Sequence, residues 1–360
     1  MRPSWVAIDV GAIEANTREL AGLVAPSRVC AVVKADAYGH GDVPVAEAAL
    51  RGGASLLAVA LVEEGVRLRE AGIEAPIMLL SEPAGADARE VVAWDLVPTV
   101  YRAEFCEALE QTAQQPIEVH IKVDTGMHRV GADPSDFDRL AKGVSSSSML
   151  DLAGIWTHLA VAEDDPAFTT HQLDMFDRVT AGFGSTPRHA ANTAGSILYP
   201  RARYQMVRPG LGVYGLHPGE STRARVSLHP AMSIVSHVAF IRELERGARP
   251  SYGRLRPLPE DGRVATVPIG YADGLPRAWM AAGGEVLIGG RRYPLAGQVT
   301  MDQIVVDVGA DPVSVGDEVV LLGRQGDDEI AADEWAARLG TINYEIVCQV
   351  GPRLPRRYVK

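Results

Sequence analysis

Lys34 closes a short apolar run, Val29-Cys30-Ala31-Val32-Val33, and opens the string Lys34-Ala35-Asp36-Ala37-Tyr38-Gly39-His40-Gly41. Of 35 basic residues only four are lysines: Lys34, Lys122, Lys142 and Lys360. Arginine suits permanent, solvated or bidentate charge, whereas a desolvated lysine can shed its proton and attack a carbonyl. A lysine kept at the end of a buried strand therefore points to an amine that links to an aldehyde. Pyridoxal 5'-phosphate (PLP) is the cofactor that uses such an amine.

Other polar residues follow apolar runs in the same way: Asp124-Thr125-Gly126-Met127-His128-Arg129, His158, Asn192-Thr193 and Arg208-Pro209-Gly210-Leu211. Thr193 offers a hydroxyl, and the small Gly210 lets backbone N–H groups approach a phosphate. Read alone, Pro209-Gly210 is equally a plain turn. Later come Gly270-Tyr271-Ala272-Asp273-Gly274, Gly297-Gln298-Val299-Thr300-Met301-Asp302 and Asn343-Tyr344-Glu345. By spacing alone, a turn tyrosine is more often packing than chemistry. Gly210, Gly212 and Gly215 fit G-x-G-x-x-G, but late in the region and with no clear helix after them, so no dinucleotide site is expected. Gly-x-Ser-x-Gly and His-Glu-x-x-His are absent. Cys30, Cys106 and Cys348 are far apart and form no Cys-x-x-Cys pair, so neither a metal site nor a disulfide framework is expected.

These residues need elements to position them. Eight strand candidates precede residue 215: Val29–Val33, Leu56–Val59, Ile77–Leu80, Val97–Val100, Ile117–Val123, Leu152–Trp156, Arg188–Ala191 and Gln205–Val207. Helical stretches lie between them, including Val43–Arg51, Val62–Glu70, Ala103–Gln111, Ser135–Ala141 and Phe168–Ala181. The count is that of a (β/α)8 TIM-type barrel, whose chemistry sits at the C-terminal strand ends. A doubly wound sheet is the alternative, weakened by the lack of a glycine-rich turn after the first strand. His217–Pro230 reads as a linker. Beyond it, Ile234–Ile241, Arg263–Ile269, Glu285–Ile288, Gln303–Val308, Glu318–Leu322 and Tyr344–Val350 read as strands and Ala331–Leu339 as a helix. The expected organisation is a barrel over residues 1–225 and a smaller, mostly-β domain over 226–360. With 47% apolar and 22% charged residues the composition is that of a globular protein. A net charge of −11 without a basic run argues against nucleic acid and anionic membranes. No apolar stretch suits a membrane span or a signal peptide, and a cytoplasmic location is expected.

With these strings in view, the sequence resembles the alanine racemase family of bacterial PLP enzymes. Ala31–Gly41, Lys122-Val123-Asp124-Thr125-Gly126-Met127-His128-Arg129, Arg208-Pro209-Gly210, Gly270–Gly274, Met301-Asp302-Gln303 and Thr341-Ile342-Asn343-Tyr344-Glu345 carry the likeness, in order and over nearly the full length. The resemblance implies a PLP-binding barrel, a β domain and a head-to-tail homodimer with a shared active site. It implies that Lys34 holds PLP and serves as one base, with Tyr271 of the partner subunit as the other. Arg208 would face the pyridine nitrogen. Tyr38, His158, Asn192, Thr193, Gly210, Leu211 and Tyr344 fall to cofactor binding, most of them at the phosphate, and His158 would also support Tyr271 in line with Arg208. Arg129 and the partner's Met301 would hold the substrate carboxylate, and Lys122 would be a site of carbamylation. Thr193 stands in place of a frequent serine, and Thr300 in place of a frequent cysteine. The implied activity is interconversion of L- and D-alanine, supplying peptidoglycan. The alternatives are a racemase for serine or a broader range, a PLP decarboxylase, for which Arg208 is the wrong ring partner, and a non-catalytic PLP-binding protein, which would not need the β domain.

Overall fold

The computed structural model describes residues 3–360, which divide into two compact units. One comprises residues 11–37 and 41–229; the other comprises 3–10, 38–40 and 230–360.

The larger unit is a parallel barrel. Its strands, in order around the sheet, are Ile77–Leu79, Ala54–Val59, Arg28–Val32, Met206–Val207, Arg188–His189, Leu150–Trp156, Ile117–Lys122 and Thr99–Val100. A parallel bridge between Met78 and Val97 joins the two ends. There Leu79 N donates to Val97 O and Val97 N to Ile77 O, both at 2.9 Å. That closure excludes the doubly wound alternative, which would leave two open edges. All eight strand candidates are present, several of them shorter than the apolar runs that mark them. Strand Arg28–Val32 is buried throughout after its first residue, as expected of a parallel strand covered on both faces. Helices Asp42–Arg51, Val62–Glu70, Ala103–Thr112, Phe137–Ser146 and Pro166–Val179 alternate with the strands. Gly65 allows Val62–Glu70 to pack closely, since a Cβ there would meet Leu96 at 2.9 Å.

The smaller unit holds two sheets. One runs Arg291–Pro294, Glu285–Ile288, Glu318–Gln325, Met232–His237, Trp5–Asp9 and Arg356–Val359, with Asp328–Ile330 also paired to Glu318–Gln325. The other is antiparallel: Phe240–Leu244, Gly262–Val267 and Ile304–Gly309. Two sequence expectations are corrected here. Ile234–Ile241 is not one strand, because the chain changes sheets at Val238-Ala239, whose N–H groups donate to Asp317 O and Thr266 O. Tyr344–Val350 is not a strand either. Residues Asn343–Cys348 form a helix, with Asn343, Ile346 and Val347 buried at helical spacing.

Strand Trp5–Asp9 has the alternation of a half-buried strand, with Val6 and Ile8 fully buried. It pairs antiparallel with Met232–His237 and parallel with Arg356–Val359. Ile8→Ala is expected to lower the unfolding free energy by about 2–5 kcal/mol, the usual cost of truncating a buried isoleucine. Denaturant titration checks this, and a loss under about 1 kcal/mol would mean the strand is not integral to its sheet.

Candidate active site

Lys34 lies two residues past the end of strand Arg28–Val32 and is half-buried. The strand is anchored up to that point by Val32 N donating to Pro209 O (3.0 Å) and Val33 N to Ala58 O (2.8 Å). What comes next is unusual. Ala35, Asp36, Ala37 and Tyr38 have φ of 54°, 52°, 51° and 54°, so Lys34–Gly39 coils as a left-handed helical turn. Each non-glycine residue held there costs about 1–2 kcal/mol.

Arg208 lies in the barrel interior, 3% exposed. Its Nη2 donates to Thr157 O (2.7 Å) and Ala190 O (3.1 Å), and its guanidinium carbon sits 4.4 Å from the centre of the Trp156 ring. Nη1 lies 2.6 Å from His189 Nδ1. Arginine can only donate, so His189 Nδ1 accepts and the ring proton is on Nε2. That Nε2 is 2.8 Å from His120 Nδ1, which must accept in turn. The chain of bonds thus runs one way, from Arg208 through His189 to His120, with both imidazoles neutral. Burial holds His189 well below the usual histidine range, with Arg208 and His120 adding to the effect. Burial and then Arg208 bring His120 down to about 3. Arg208 itself falls to about 10 through burial and stays charged at neutral pH. No carboxylate pairs with it among the described residues.

His158 senses the whole cluster. Burial lowers it well below the usual range, followed by the charges of Arg208, Lys122, Arg129 and Lys34. Lys122 is 2% exposed, its Nζ 4.9 Å from the Trp156 ring centre. Burial, then Arg129 and Arg208, bring its amine down to about 8. Arg129 is exposed on a loop that Asp124 shapes: Asp124 Oδ1 accepts from Gly126 N, Met127 N and His128 N at 2.9–3.1 Å. The bridge of Val123 to Ala132 closes the loop at its base.

At the last two barrel strands, Thr193 Oγ1 accepts from Gly210 N (3.1 Å) and Gly212 N (3.2 Å). The hydroxyl hydrogen is left to donate elsewhere. A Cβ on Gly212 would meet Thr193 Cγ2 at 2.9 Å, so the small residue is what permits this approach. Asn192 caps the helix Thr193–Leu198 by accepting from Gly195 N (2.9 Å). Its side chain therefore supports the turn that carries Thr193.

The remaining candidates belong to the smaller unit. Tyr38 and Tyr344 have ring centres 6.1 Å apart, and burial followed by Tyr344 and Cys348 pushes the Tyr38 phenol well above its usual range. Tyr271 (40% exposed) and Met301 (52% exposed) are presented by two loops bonded backbone to backbone. Tyr271 N donates to Thr300 O (2.9 Å) and Ala272 N to Met301 O (3.1 Å). Asp273, buried, accepts from Gly270 N (2.9 Å) and fixes the tyrosine turn. Gly270 cannot carry a side chain, because a Cβ would come within 2.4 Å of the Thr300 and Met301 carbonyl oxygens. The Thr300 hydroxyl donates to Gln303 O (2.8 Å) and accepts from Gln303 N (3.2 Å), which closes the Met301 loop.

Sequence reasoning missed His120, His189 and Trp156, which fix Arg208. All three lie inside strands, and the only trace was a polar residue in an otherwise apolar run.

Two family models cover most of the chain: "Alanine racemase, N-terminal domain" over residues 8–218 and "Alanine racemase, C-terminal domain" over residues 231–358. The chain belongs to the alanine racemase family. That family is one of isomerases. The chain is 44% identical to the alanine racemase of Symbiobacterium thermophilum, over 99% of this chain and 97% of that one. The crystal structure of alanine racemase from E. faecalis matches with a TM-score of 0.95 at 36% identity, covering 99% of this chain and 98% of that one. Alanine racemase from Bacillus anthracis with bound L-Ala-P matches with a TM-score of 0.93 at 35% identity, covering 100% and 96%. No helix among the described residues is long and apolar enough to cross a membrane.

The neutral histidines make a pH prediction. As pH falls below about 6.5, unfolded histidines take up protons that buried, depressed ones refuse, so stability is lost on acidification. His120 should contribute about 1.4 kcal/mol per pH unit between its unfolded value and about 3. Unfolding free energies measured from pH 6.5 to 4.5 should fall less steeply in His120→Asn. An unchanged slope would show that His120 protonates in the folded chain.

Proposed function

We propose that this chain interconverts L- and D-alanine with PLP, as a homodimer in which each site takes Tyr271 and Met301 from the partner subunit. The observation that carries the reading is the barrel mouth itself: Lys34, Lys122, Arg129 and Arg208 all act on one half-buried imidazole, and among the described residues no acid pairs with Arg208. Such a site is short of negative charge. A phosphate and an amino-acid carboxylate would both supply it.

The residues suit the cofactor. Lys34 offers the amine for the covalent link. Thr193 keeps a hydroxyl proton to give, beside the backbone of Gly210 and Leu211, and the phenols of Tyr38 and Tyr344 would be further phosphate donors. Arg208 would face the ring nitrogen as a pure donor, which leaves that nitrogen without a proton and limits side reactions such as transamination. When bound, PLP supplies the electron sink that acidifies the Cα proton.

The protein must then move that proton between faces. One base would have to cross the substrate plane, whereas two on opposite faces need not move. Lys34 would take or return it on one face and Tyr271 of the partner subunit on the other. His158, held neutral, can donate to the Tyr271 oxygen when it carries charge. Arg129 and the backbone of the partner's Met301 would fix the carboxylate and so orient the Cα–H bond.

Lys122 would be carbamylated. Its amine, brought down to about 8, is partly neutral near physiological pH and so can add carbon dioxide. The N–C bond forms as the nitrogen loses a proton, and the new anion would answer Arg129. Incubation with 13C-bicarbonate should give a carbamate carbon signal that Lys122→Ala lacks; its absence in the unmodified chain would remove this assignment.

With added PLP, circular dichroism should show both alanine enantiomers racemised, and serine or basic amino acids turned over more slowly. Turnover of serine at or above the alanine rate would favour the broader racemase, and cofactor binding without turnover would favour a carrier. Tyr271→Phe should keep the cofactor and lose mainly one direction of Cα proton exchange; equal loss from both enantiomers would contradict the two-face assignment. Mixing inactive Lys34→Ala and Tyr271→Ala chains should restore roughly a quarter of the activity, since half the dimers would hold one intact site. No recovery after subunit exchange would mean the site is not shared.

A further inference from the structure

Lys34 must leave a straight strand and enter a left-handed turn within one residue. Ala37 N donates to Val33 O (2.9 Å) across Lys34, and Gly41 N to Asp36 O (2.9 Å) and Asp42 N to Asp36 Oδ1 (3.0 Å) hold the far side of the turn. At its start, Ala35 N donates to Glu64 Oε1 at 2.6 Å. Glu64 is 7% exposed and comes from the helix after the next barrel strand. Its other oxygen, Oε2, accepts from Ala60 N (2.8 Å) and Leu61 N (3.1 Å).

A glutamate in the third position of a helix commonly reaches back to cap the chain before it. Such a cap needs only one oxygen. Here the second oxygen is buried and committed to the residue next to Lys34. Three backbone N–H groups thus converge on one carboxylate, tying the end of strand Ala54–Val59 to the residue after Lys34. A carboxylate suits the place because both oxygens accept; an amide would set a donor against an N–H on one side.

We propose that Glu64 is a positioning residue for Lys34, fastening the left-handed turn at its first peptide so that the lysine amine is held in place for linkage and proton transfer. This rests on the role given to Lys34 under the proposed function. Glu82 supplies an internal control. It is a similarly buried carboxylate that accepts from Tyr101 N (2.5 Å) and Arg102 N (2.9 Å) and pairs with the Arg102 guanidinium, with no bond to the lysine turn.

The test compares Glu64→Gln and Glu82→Gln in the full chain. Amide hydrogen exchange, measured without cofactor, should speed at least tenfold across residues 34–41 in Glu64→Gln and stay unchanged there in Glu82→Gln. With PLP added, Glu64→Gln should lose roughly 10- to 100-fold in kcat for alanine, the scale set by an ångström of misplacement, with KM within threefold. Borohydride labelling of peptide 29–41 should slow in parallel. Glu82→Gln should lose thermal stability but keep both signals, whereas a merely structural Glu64 would make the two variants alike. Unchanged exchange at 34–41, or equal effects of the two substitutions on kcat, overturns the proposal. If the unmodified chain takes no label, the cofactor reading fails and the exchange measurement alone decides the clamp.

Discussion

A guanidinium buried without a counter-ion sets the terms for everything around it. Arg208 keeps its charge inside the barrel, and the fold answers that charge with dipoles and ring faces instead of an acid: two carbonyls, an imidazole nitrogen and the Trp156 indole. Each answer constrains the next group. His189 must present a bare nitrogen, so His120 must accept from its far side, and neither ring can take a second proton. Gly154 lacks a side chain because the His120 ring lies where its Cβ would be, 2.5 Å away. The same positive field reaches His158 and Lys122 and disfavours their charged forms. The chain as a whole carries a net charge of −11, yet cations dominate around His158, so negative groups that enter the mouth find a favourable field.

The smaller unit solves a different problem, that of presenting two side chains outward without letting them wander. Tyr271 and Met301 are exposed, yet their backbones are bonded to each other, and the turn under Tyr271 is fixed by the buried Asp273. Arg353 adds bridges to Asp273 and Asp302 on both loops. A rigid platform of this kind loses little conformational entropy when its side chains are engaged.

Much of this was legible in the residues. The eight barrel strands announced themselves as apolar runs ending in polar residues, and Lys34 stood out because lysine is so scarce in the chain. What stayed hidden shares a cause: it depends on partners distant in sequence. Residues 344–350 read as a strand because a short run of β-branched and apolar residues cannot distinguish a period of 2 from one of 3.6; burial of Asn343, Ile346 and Val347 decides for the helix. The left-handed turn could not be seen, since Ala35, Ala37 and Tyr38 have no intrinsic liking for positive φ and accept it only under tertiary restraint. The Arg208–His189–His120 chain joins three strands, and its direction follows only once the distances are known.

Strand Trp5–Asp9 lies between Met232–His237 and Arg356–Val359. Both partners are distant in sequence: the first is complete only at residue 237 and the second only at residue 359. Until then the strand has two apolar side chains to bury and two unpaired edges. The barrel residues emerge in between and hold all eight of their strands before that sheet can form. The segment therefore stays unmatched while the barrel is made, and its open edges are the ones most exposed to wrong pairing during folding.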